Sequence, residues 1–145
     1  MISWRAATVV SRGPAWTGAV ELRVRTDDGD ELKALAHPPL VGDPEPGDRV
    51  LLNVSAQVRG LGTGGYALVV ALPDRLPADP PAGPGHLVKA RYTPLQAMVL
   101  GADEQESPHH GVLAAADDLD GLPVVVADLH SALPAVVAGA RAAAA

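Results

Sequence analysis

A proline-rich stretch divides this chain and limits what it can fold into. Residues 73–85 read PDRLPADPPAGPG. Because proline has no backbone N–H to donate and its ring fixes φ, such a stretch cannot continue a helix or form a central strand. We therefore interpret residues 73–85 as a linker or a long surface loop. The segments on either side, 1–72 and 86–145, are then expected to fold as separate parts.

The segment before the linker has the pattern of a small β domain. In residues 19–26, apolar Val20, Leu22 and Val24 alternate with charged side chains, as in a strand that is buried on one face. Asp27-Asp28-Gly29 follows, which is a hairpin signal because glycine accepts the positive φ of a tight turn. Further strand patterns occupy residues 4–11, 31–36, 48–54 and 66–72. Short strands with glycine and proline between them predict a β-barrel of the OB-like or SH3-like kind over residues 1–72.

The segment after the linker has the strand pattern of a parallel sheet. Residues 95–101 and 124–127 are apolar runs, and the second is β-branched and uninterrupted, as in a strand buried on both faces. Residues 87–92 can add one more strand, either to the barrel or to this sheet. Two parallel strands alone make a poor sheet, since three or more are normally needed. The sheet is therefore expected to be completed by residues 87–92 and the barrel, by a missing continuation, or across the axis of a homodimer.

Two helices are predicted to accompany these strands. Ser107 is a good N-cap with Pro108 at the first helical position, and this helix should run to about Leu119. Ser131 can cap a last helix over residues 132–145, which ends without a glycine stop and so suggests a truncated chain. The expected fold class is α+β: a small barrel over residues 1–72, followed over 86–145 by a β-α-β-α segment of a parallel sheet.

Charge and composition exclude several classes of partner. The formal net charge is -6, and the 11 lysine and arginine residues are scattered, which argues against a nucleic-acid partner. Cysteine is absent, so histidine and carboxylate are the strong metal ligands that remain. No basic start leads into an apolar stretch, and no run approaches the about 20 apolar residues needed to span a membrane. We therefore expect a cytoplasmic protein with no membrane partner.

Each apolar run is followed directly by a polar cluster, at residues 103–110 and 128–131. If both runs are parallel strands joined by a right-handed helical crossover, both clusters lie at the same edge of the sheet, where open α/β sheets bind ligands. The candidate ligand-binding residues there are Ser107, His109, His110, Asp128, His130 and Ser131. A small molecule or an anion is the expected ligand, with the two helix N-termini as donors.

The same clusters offer a second interpretation, a divalent metal site. Neutral imidazole and carboxylate are ligands for zinc, manganese or iron. The candidate ligands are His109, His110, His130 and Glu104. They can share a metal only within about 4 to 5 Å of a common point, given metal–nitrogen bonds of about 2 Å. A third interpretation needs no ligand, because serine and acidic residues at a helix start are also explained as helix caps.

A glycine-rich segment matches a phosphate-binding pattern in its spacing alone. Gly60, Gly62 and Gly65 satisfy G-x-G-x-x-G. In dinucleotide-binding loops the pyrophosphate lies on a helix N-terminus just after the glycines, whereas here residues 66–72 have the pattern of a strand. We therefore interpret this segment as a flexible hairpin loop in preference to a phosphate loop.

Several short motifs together resemble one family. They are MISWR at 1–5, GTGGY at 62–66, RYTPLQ at 91–96, EQESPHH at 104–110 and DLHS at 128–131. They resemble the N-terminal part of an uncharacterised actinobacterial family, classed only as a domain of unknown function, over nearly the whole chain. Members of that family look longer and continue into a further α/β portion, which implies a truncated chain. The resemblance implies no reaction. The two functions that remain are ligand or metal binding at the sheet edge and a non-catalytic interaction module.

Overall fold

Among the residues that the structure describes, five strands in the first half of the chain close into a barrel. The computed structural model describes residues 1–62 and 64–144 and separates a first unit, Met1–Pro81, from a second unit, Ala82–Ala145. The barrel strands are β1 (Trp4–Trp16), β2 (Ala19–Thr26), β3 (Glu31–Ala36), β4 (Arg49–Asn53) and β5 (Ala67–Ala71). Their order is β1-β2-β3-β5-β4, and β4 pairs with β1 to close the barrel. The predicted β-barrel and the α+β class are confirmed.

The alternation seen in the sequence explains the inner face of the barrel. Val20, Leu22 and Val24 of β2 point inward and are buried. The hairpin between β2 and β3 forms at the predicted turn, where Gly29 has a φ of 94° and the Thr26 N–H donates to the Asp30 carbonyl oxygen at 2.9 Å. The local signals of alternation and turn chemistry are therefore sufficient for this hairpin.

Small side chains fill the barrel where β3 pairs with β5. β3 and β5 run parallel, and Ala34 of β3 lies opposite Ala67 of β5. Both alanines are fully buried. A five-stranded barrel has little room inside, and this agrees with a core built from alanine, valine and leucine. Every buried hydrophobic side chain among the described residues lies between Ala7 and Leu72, in the first unit.

Two short helices of the described residues follow strands of the barrel: α1 (Pro38–Val41) comes after β3 and α2 (Ser55–Val58) comes after β4.

The start of the proline-rich stretch is also held to this unit. Arg75 donates to the Asp43 carbonyl oxygen at 2.7 Å and forms an ion pair with Asp48. The division between the units accordingly falls inside the predicted linker, after Pro81.

The described residues of the second unit do not form the parallel segment that the sequence predicts. Its strands β6 (Leu87–Lys89) and β7 (Ala97–Val99) pair antiparallel in a two-stranded sheet. The helices are α3 (His110–Ala115), a 3-10 helix (His130–Ala132) and α4 (Leu133–Ala143). None of the helices described is long and apolar enough to cross a membrane.

Three predictions for the second unit need correction. Residues 124–127 form no strand in the described part of the chain, and Val126 is 93% exposed. A β-branched run cannot form a ladder without a partner strand, so its strand preference is unused. Helix α3 begins at His110, two residues after the predicted first helical position Pro108. It ends at Ala115, before the predicted end at about Leu119. Ser131 lies inside the 3-10 helix and does not cap α4, although α4 does have proline in its first turn as predicted.

Two predicted features extend beyond the described residues. Thr63 belongs to the glycine-rich segment, and Ala145 is the last residue of the predicted final helix. Both lie outside the described residues.

Candidate functional site

The first polar cluster forms local contacts just after β7. Ser107 is 8% exposed, and its Oγ accepts a hydrogen bond from the His109 N–H at 3.1 Å. The Nδ1 of His110 lies 2.8 Å from the Asp103 carbonyl oxygen. These contacts close the turn that precedes α3. Ser107 therefore stabilises a turn where the sequence predicts a helix cap.

The second polar cluster follows an irregular segment instead of a strand. The side chains of Asp128, His130 and Ser131 are exposed and form no hydrogen bond with any described residue. His130 lies at one wall of an open groove whose other walls are apolar. Those walls are Val125, Ala127, Leu129, Leu133 and Val136. The geometric reason for expecting the two clusters at one sheet edge, a shared parallel sheet, is absent among the described residues.

Among the described residues, no three histidine, aspartate or glutamate side chains are grouped so that they could hold a metal ion. His109, His110, His130 and Glu104 are therefore not gathered into such a group. The Glu104 carboxylate instead accepts the backbone N–H of His86 at 2.6 Å and that of Gly101 at 2.5 Å. The Gly101 hydrogen bond, and then that of His86, hold the pKa of Glu104 below its ordinary value. Its role here is to join two segments of backbone.

The glycine-rich segment connects α2 to β5. Gly60 has a φ of 64° and Gly65 a φ of 81°, so both adopt a conformation that favours glycine. A strand follows the glycines, as the sequence indicates, so the helix N-terminus that a phosphate loop needs is not found directly after Gly60, Gly62 and Gly65 in the described residues. Tyr66, at the end of the segment, donates its hydroxyl to Glu21 of β2 at 2.5 Å. That hydrogen bond raises the pKa of Tyr66 and holds Tyr66 beside β2.

A concave site with both polar and apolar walls lies at one end of the barrel, which we call the barrel mouth. Its cavity has a volume of ≈ 280 Å³. The lining residues are Arg5, Thr26, Asp30, Leu32, Val54, Gln57 and Val58. They come from the ends of several strands, from the β2–β3 turn and from α2, so only the closed barrel brings them together.

Strand register places Arg5 at the mouth. Side chains alternate across a strand, and Ala7 and Val9 of β1 are buried in the core. Arg5 belongs to the same inward row and lies opposite Leu52 of β4, which is fully buried. The row reaches the end of the barrel at Arg5, whose side chain remains 46% exposed. A charged residue on an otherwise apolar row is the sequence signal that could have found this site.

The N-terminal segment holds α2 beside the mouth. The Ser3 N–H donates to the Ser55 Oγ at 2.8 Å, and the Val54 N–H donates to the Ser3 carbonyl oxygen at 2.9 Å. Gln57 and Val58 of α2 then form one wall. The Gln57 Nε2 donates to the Gly65 carbonyl oxygen at 3.2 Å, which orients the amide group.

The β2–β3 turn forms another part of the wall. The Asp30 N–H donates to the Thr26 Oγ1 at 3.1 Å. Arg49 of β4 binds Asp27 through two contacts, at 2.6 Å and 2.9 Å, and these hydrogen bonds lower the pKa of Asp27. A bidentate contact of this kind restricts orientation as well as distance. The position of Asp30 is therefore set by a turn that Arg49 anchors to β4.

The two charged groups of the mouth are poorly neutralised by the protein. The Arg5 Nη1 donates to the carbonyl oxygen of its neighbour Trp4 at 2.8 Å, and its Nε lies 3.9 Å from Asp28, whose side chain is 75% exposed. An exposed pair at that distance contributes little. The Asp30 carboxylate has no hydrogen-bond or ion-pair partner among the described residues. The mouth thus offers a cation, a carboxylate, hydroxyl and amide groups and apolar surface to a small molecule.

Comparison with known proteins gives one match. The family model described as "Protein of unknown function (DUF3866)" matches residues 33–145. The match covers the second unit and the barrel from within β3 onward, whereas Arg5, Thr26, Asp30 and Leu32 precede it. The chain matches no curated protein and no solved structure.

Proposed function

We propose that this chain, which belongs to the DUF3866 family of proteins of unknown function, binds a small molecule with an anionic group at the barrel mouth. The family carries no assigned activity, so the support comes from the site. The observation that carries the proposal is Arg5, a cation on the inward row of β1 with only weak neutralisation by the protein.

The chemistry of arginine favours an anionic group. The guanidinium has five N–H donors in a planar fork that fits carboxylate and phosphate groups. The Trp4 carbonyl oxygen accepts one hydrogen bond from Arg5. A bound carboxylate can accept two parallel hydrogen bonds from such a fork, and charge-assisted contacts of this kind are the strong ones.

The size and place of the cavity favour a small ligand. Barrel mouths are preferred ligand sites, and ligand pockets usually measure roughly 300 to 1,000 Å³. The mouth, at ≈ 280 Å³, lies just below that range. Its apolar residues Leu32, Val54 and Val58 add surface that a simple inorganic anion would leave unused. We therefore propose an organic anion.

The strand order supports an OB-like barrel over an SH3-like one, with β5 inserted between β3 and β4. OB-folds bind ligands on the outer face of strands 2 and 3. On that face Arg23 lies directly opposite Lys33, and Arg23 forms no ion pair with a described residue. Like charges in opposite positions destabilise a sheet. This favours the outer face as a second candidate anion site.

Titration of the whole chain with 4-methylpentanoate, a branched apolar carboxylate, separates the two candidates. We expect amide NMR shifts at Thr26, Asp30 and Leu32, around the mouth. Arg5→Gln should weaken binding roughly tenfold, because a hydrogen bond to a charged group contributes about 1.5 to 3 kcal/mol. Arg23→Gln is the matched control and should leave the affinity unchanged. Loss of binding in Arg23→Gln alone would contradict the mouth and favour the outer face.

We also propose, separately, that the polar clusters of the second unit bind a small ligand or a divalent metal. The ligand set at Ser107, His109, His110, Asp128, His130 and Ser131 and the divalent metal are inferred from the sequence alone, as are the cytoplasmic location and the homodimer. Titration with zinc tests the metal: a rise in melting temperature that His109→Ala and His130→Ala each abolish would support it. A wild-type melting temperature that zinc leaves unchanged would leave the capping interpretation.

A further inference from the structure

Asp30 gives the barrel mouth a negative charge that an anionic ligand alone does not explain. Asp30 lines the same cavity as Arg5, and its carboxylate has no partner among the described residues. Its backbone is fixed, because its N–H donates to Thr26 and its carbonyl oxygen accepts from the Thr26 N–H. A ligand with negative charge only would be attracted by Arg5 and repelled by Asp30.

From this pairing we infer that the ligand is a small zwitterion, namely a free α-amino acid with an aliphatic side chain. This inference rests on the proposed function of the mouth. The α-carboxylate binds the Arg5 guanidinium, and the α-ammonium binds the Asp30 carboxylate. Each charge of the ligand then meets an opposite charge, and hydrogen bonds between charged groups are the strong ones.

The rest of the wall agrees with an aliphatic amino acid. Leu32, Val54 and Val58 supply apolar surface for the side chain. Val54 is buried and Val58 is 66% exposed, so the apolar wall runs from the core to the rim. The Thr26 hydroxyl and the Gln57 amide can add hydrogen bonds to the charged groups.

Cavity size favours a free amino acid over a peptide. A peptide carries its ammonium and its carboxylate on different residues, whereas a free amino acid carries both on one carbon. A cavity of ≈ 280 Å³ with both charged groups in its wall suits the second arrangement. Ligands much larger than this need pockets toward the upper end of the usual range.

The test is calorimetric titration of the whole chain with three probes of similar shape. L-leucine has both charges, 4-methylpentanoate lacks the ammonium, and 3-methylbutylamine lacks the carboxylate. We expect L-leucine to bind roughly tenfold or more tightly than either single-charge probe, since each charged contact is worth about that much.

Three variants assign the contacts. Asp30→Asn should weaken L-leucine roughly tenfold and leave 4-methylpentanoate unchanged or tighter, and it retains the backbone contacts of Asp30 with Thr26. Arg5→Gln should weaken both probes. Glu31→Gln is the matched control, because Glu31 is a neighbouring carboxylate that pairs with Arg25 and does not line the cavity, and it should leave the preference for L-leucine intact.

A variant at the rim of the cavity tests the site without the risk that the barrel fails to fold. Val58→Ala removes apolar surface from an exposed position, so the barrel should remain folded while the affinity ratio of L-leucine to glycine falls. Equal binding of 4-methylpentanoate and L-leucine would overturn the zwitterion and leave the proposed function in place. Binding of neither probe would overturn both.

Discussion

Arg5 is a charged side chain in a position that would otherwise belong to the core. Two residues along the same row, Ala7 is fully buried. Arginine is tolerated at the end of the row because its long stem can pack along apolar surface while the guanidinium reaches water. A shift of one residue in the β1–β4 register would turn Arg5 outward, so the site depends on the pairing of Arg5 with Leu52.

In the second unit, the single carboxylate of Glu104 joins the ends of both strands of the two-stranded sheet. Leu87 of β6 pairs with Val99 of β7, so His86 and Gly101 lie at the same open end of the sheet. Glu104 accepts the N–H of both. The sequence does not indicate this contact, because Glu104 and His86 are 18 residues apart.

We predict that this contact makes the second unit sensitive to acid. The pKa of Glu104 is lowered in the folded chain by the Gly101 and His86 hydrogen bonds, against an ordinary value of 4.5. Its stabilising contribution is therefore complete above that value and is lost as the pH falls through the lowered pKa. Amide-exchange protection of His86 and Gly101 should fall as the pH is lowered from 6 toward about 3.

Variants of the two neighbouring glutamates test this prediction. Glu104→Gln should lower the protection of both amides already at neutral pH and remove most of its dependence on acid. Glu106→Gln is the control, because Glu106 is 41% exposed and its oxygen lies 4.0 Å from the His86 Nδ1. Equal protection in the wild type and in Glu104→Gln would contradict the assigned role.

At the scale of elements, the β2–β3 hairpin was predictable because its signals are local. The bounds of β2 and β3 agree with the sequence expectation. The alternation of apolar and charged side chains determines the inner face of the strand, and the Asp-Gly pair determines the position of the turn. Asp30 completes the same turn, so the hairpin that is simplest to read from sequence also supplies one wall of the candidate site.

We predict that Gly29→Ala destabilises the barrel by about 1 to 2 kcal/mol, which is the cost of the left-handed conformation for a residue with a Cβ. Gly29 has a φ of 94°, and a Cβ there would meet no described atom within 4 Å, so the cost is conformational and not steric. Urea unfolding followed by tryptophan fluorescence measures it, since Trp4 and Trp16 both lie in β1.

Gly111→Ala is the matched control for that variant. Gly111 lies within α3, where a Cβ also meets nothing within 4 Å and φ is not in the positive range. Alanine should stabilise the helix there and leave barrel unfolding unchanged. The same urea midpoint for Gly29→Ala and the wild type would show that the turn tolerates a Cβ.

The elements of the second unit were harder to predict because their signals depend on partners. The run at 124–127 has strand composition, yet a strand exists only when another strand accepts its hydrogen bonds. Without one, Val124, Val125 and Val126 stay exposed in an irregular segment. The two polar clusters then lose the shared sheet edge on which their predicted convergence depended.

At the scale of the whole molecule, the hydrophobic core belongs to one unit. All the buried hydrophobic residues described lie in the first unit, and the side chains of Val112, Leu122 and Leu133 in the second unit are well exposed. Burial of apolar area is the main stabilising contribution to folding. The two units should therefore differ strongly in stability.

We predict that amide hydrogen exchange will show this difference. Strands β1 to β5 should exchange slowly, and residues 110–143 should exchange near the rate of local fraying. A hydrophobic dye such as ANS should bind the chain, and Val126→Ser together with Leu129→Ser should reduce its fluorescence. Slow exchange at residues 110–143 that persists on dilution would contradict this prediction, whereas protection that rises with concentration would support the proposed homodimer.

Alternation and turn residues are local properties, and from them the sequence alone specifies the strands of the barrel and their inner faces. Closure of β1 against β4 and the parallel pairing of β3 with β5 are long-range contacts that only the tertiary structure decides. They bring Arg5, Asp30 and Gln57 around one cavity. The physical reason is that a strand's preference is set by its own residues, whereas its partner and register are set by the burial of surfaces far apart in the chain.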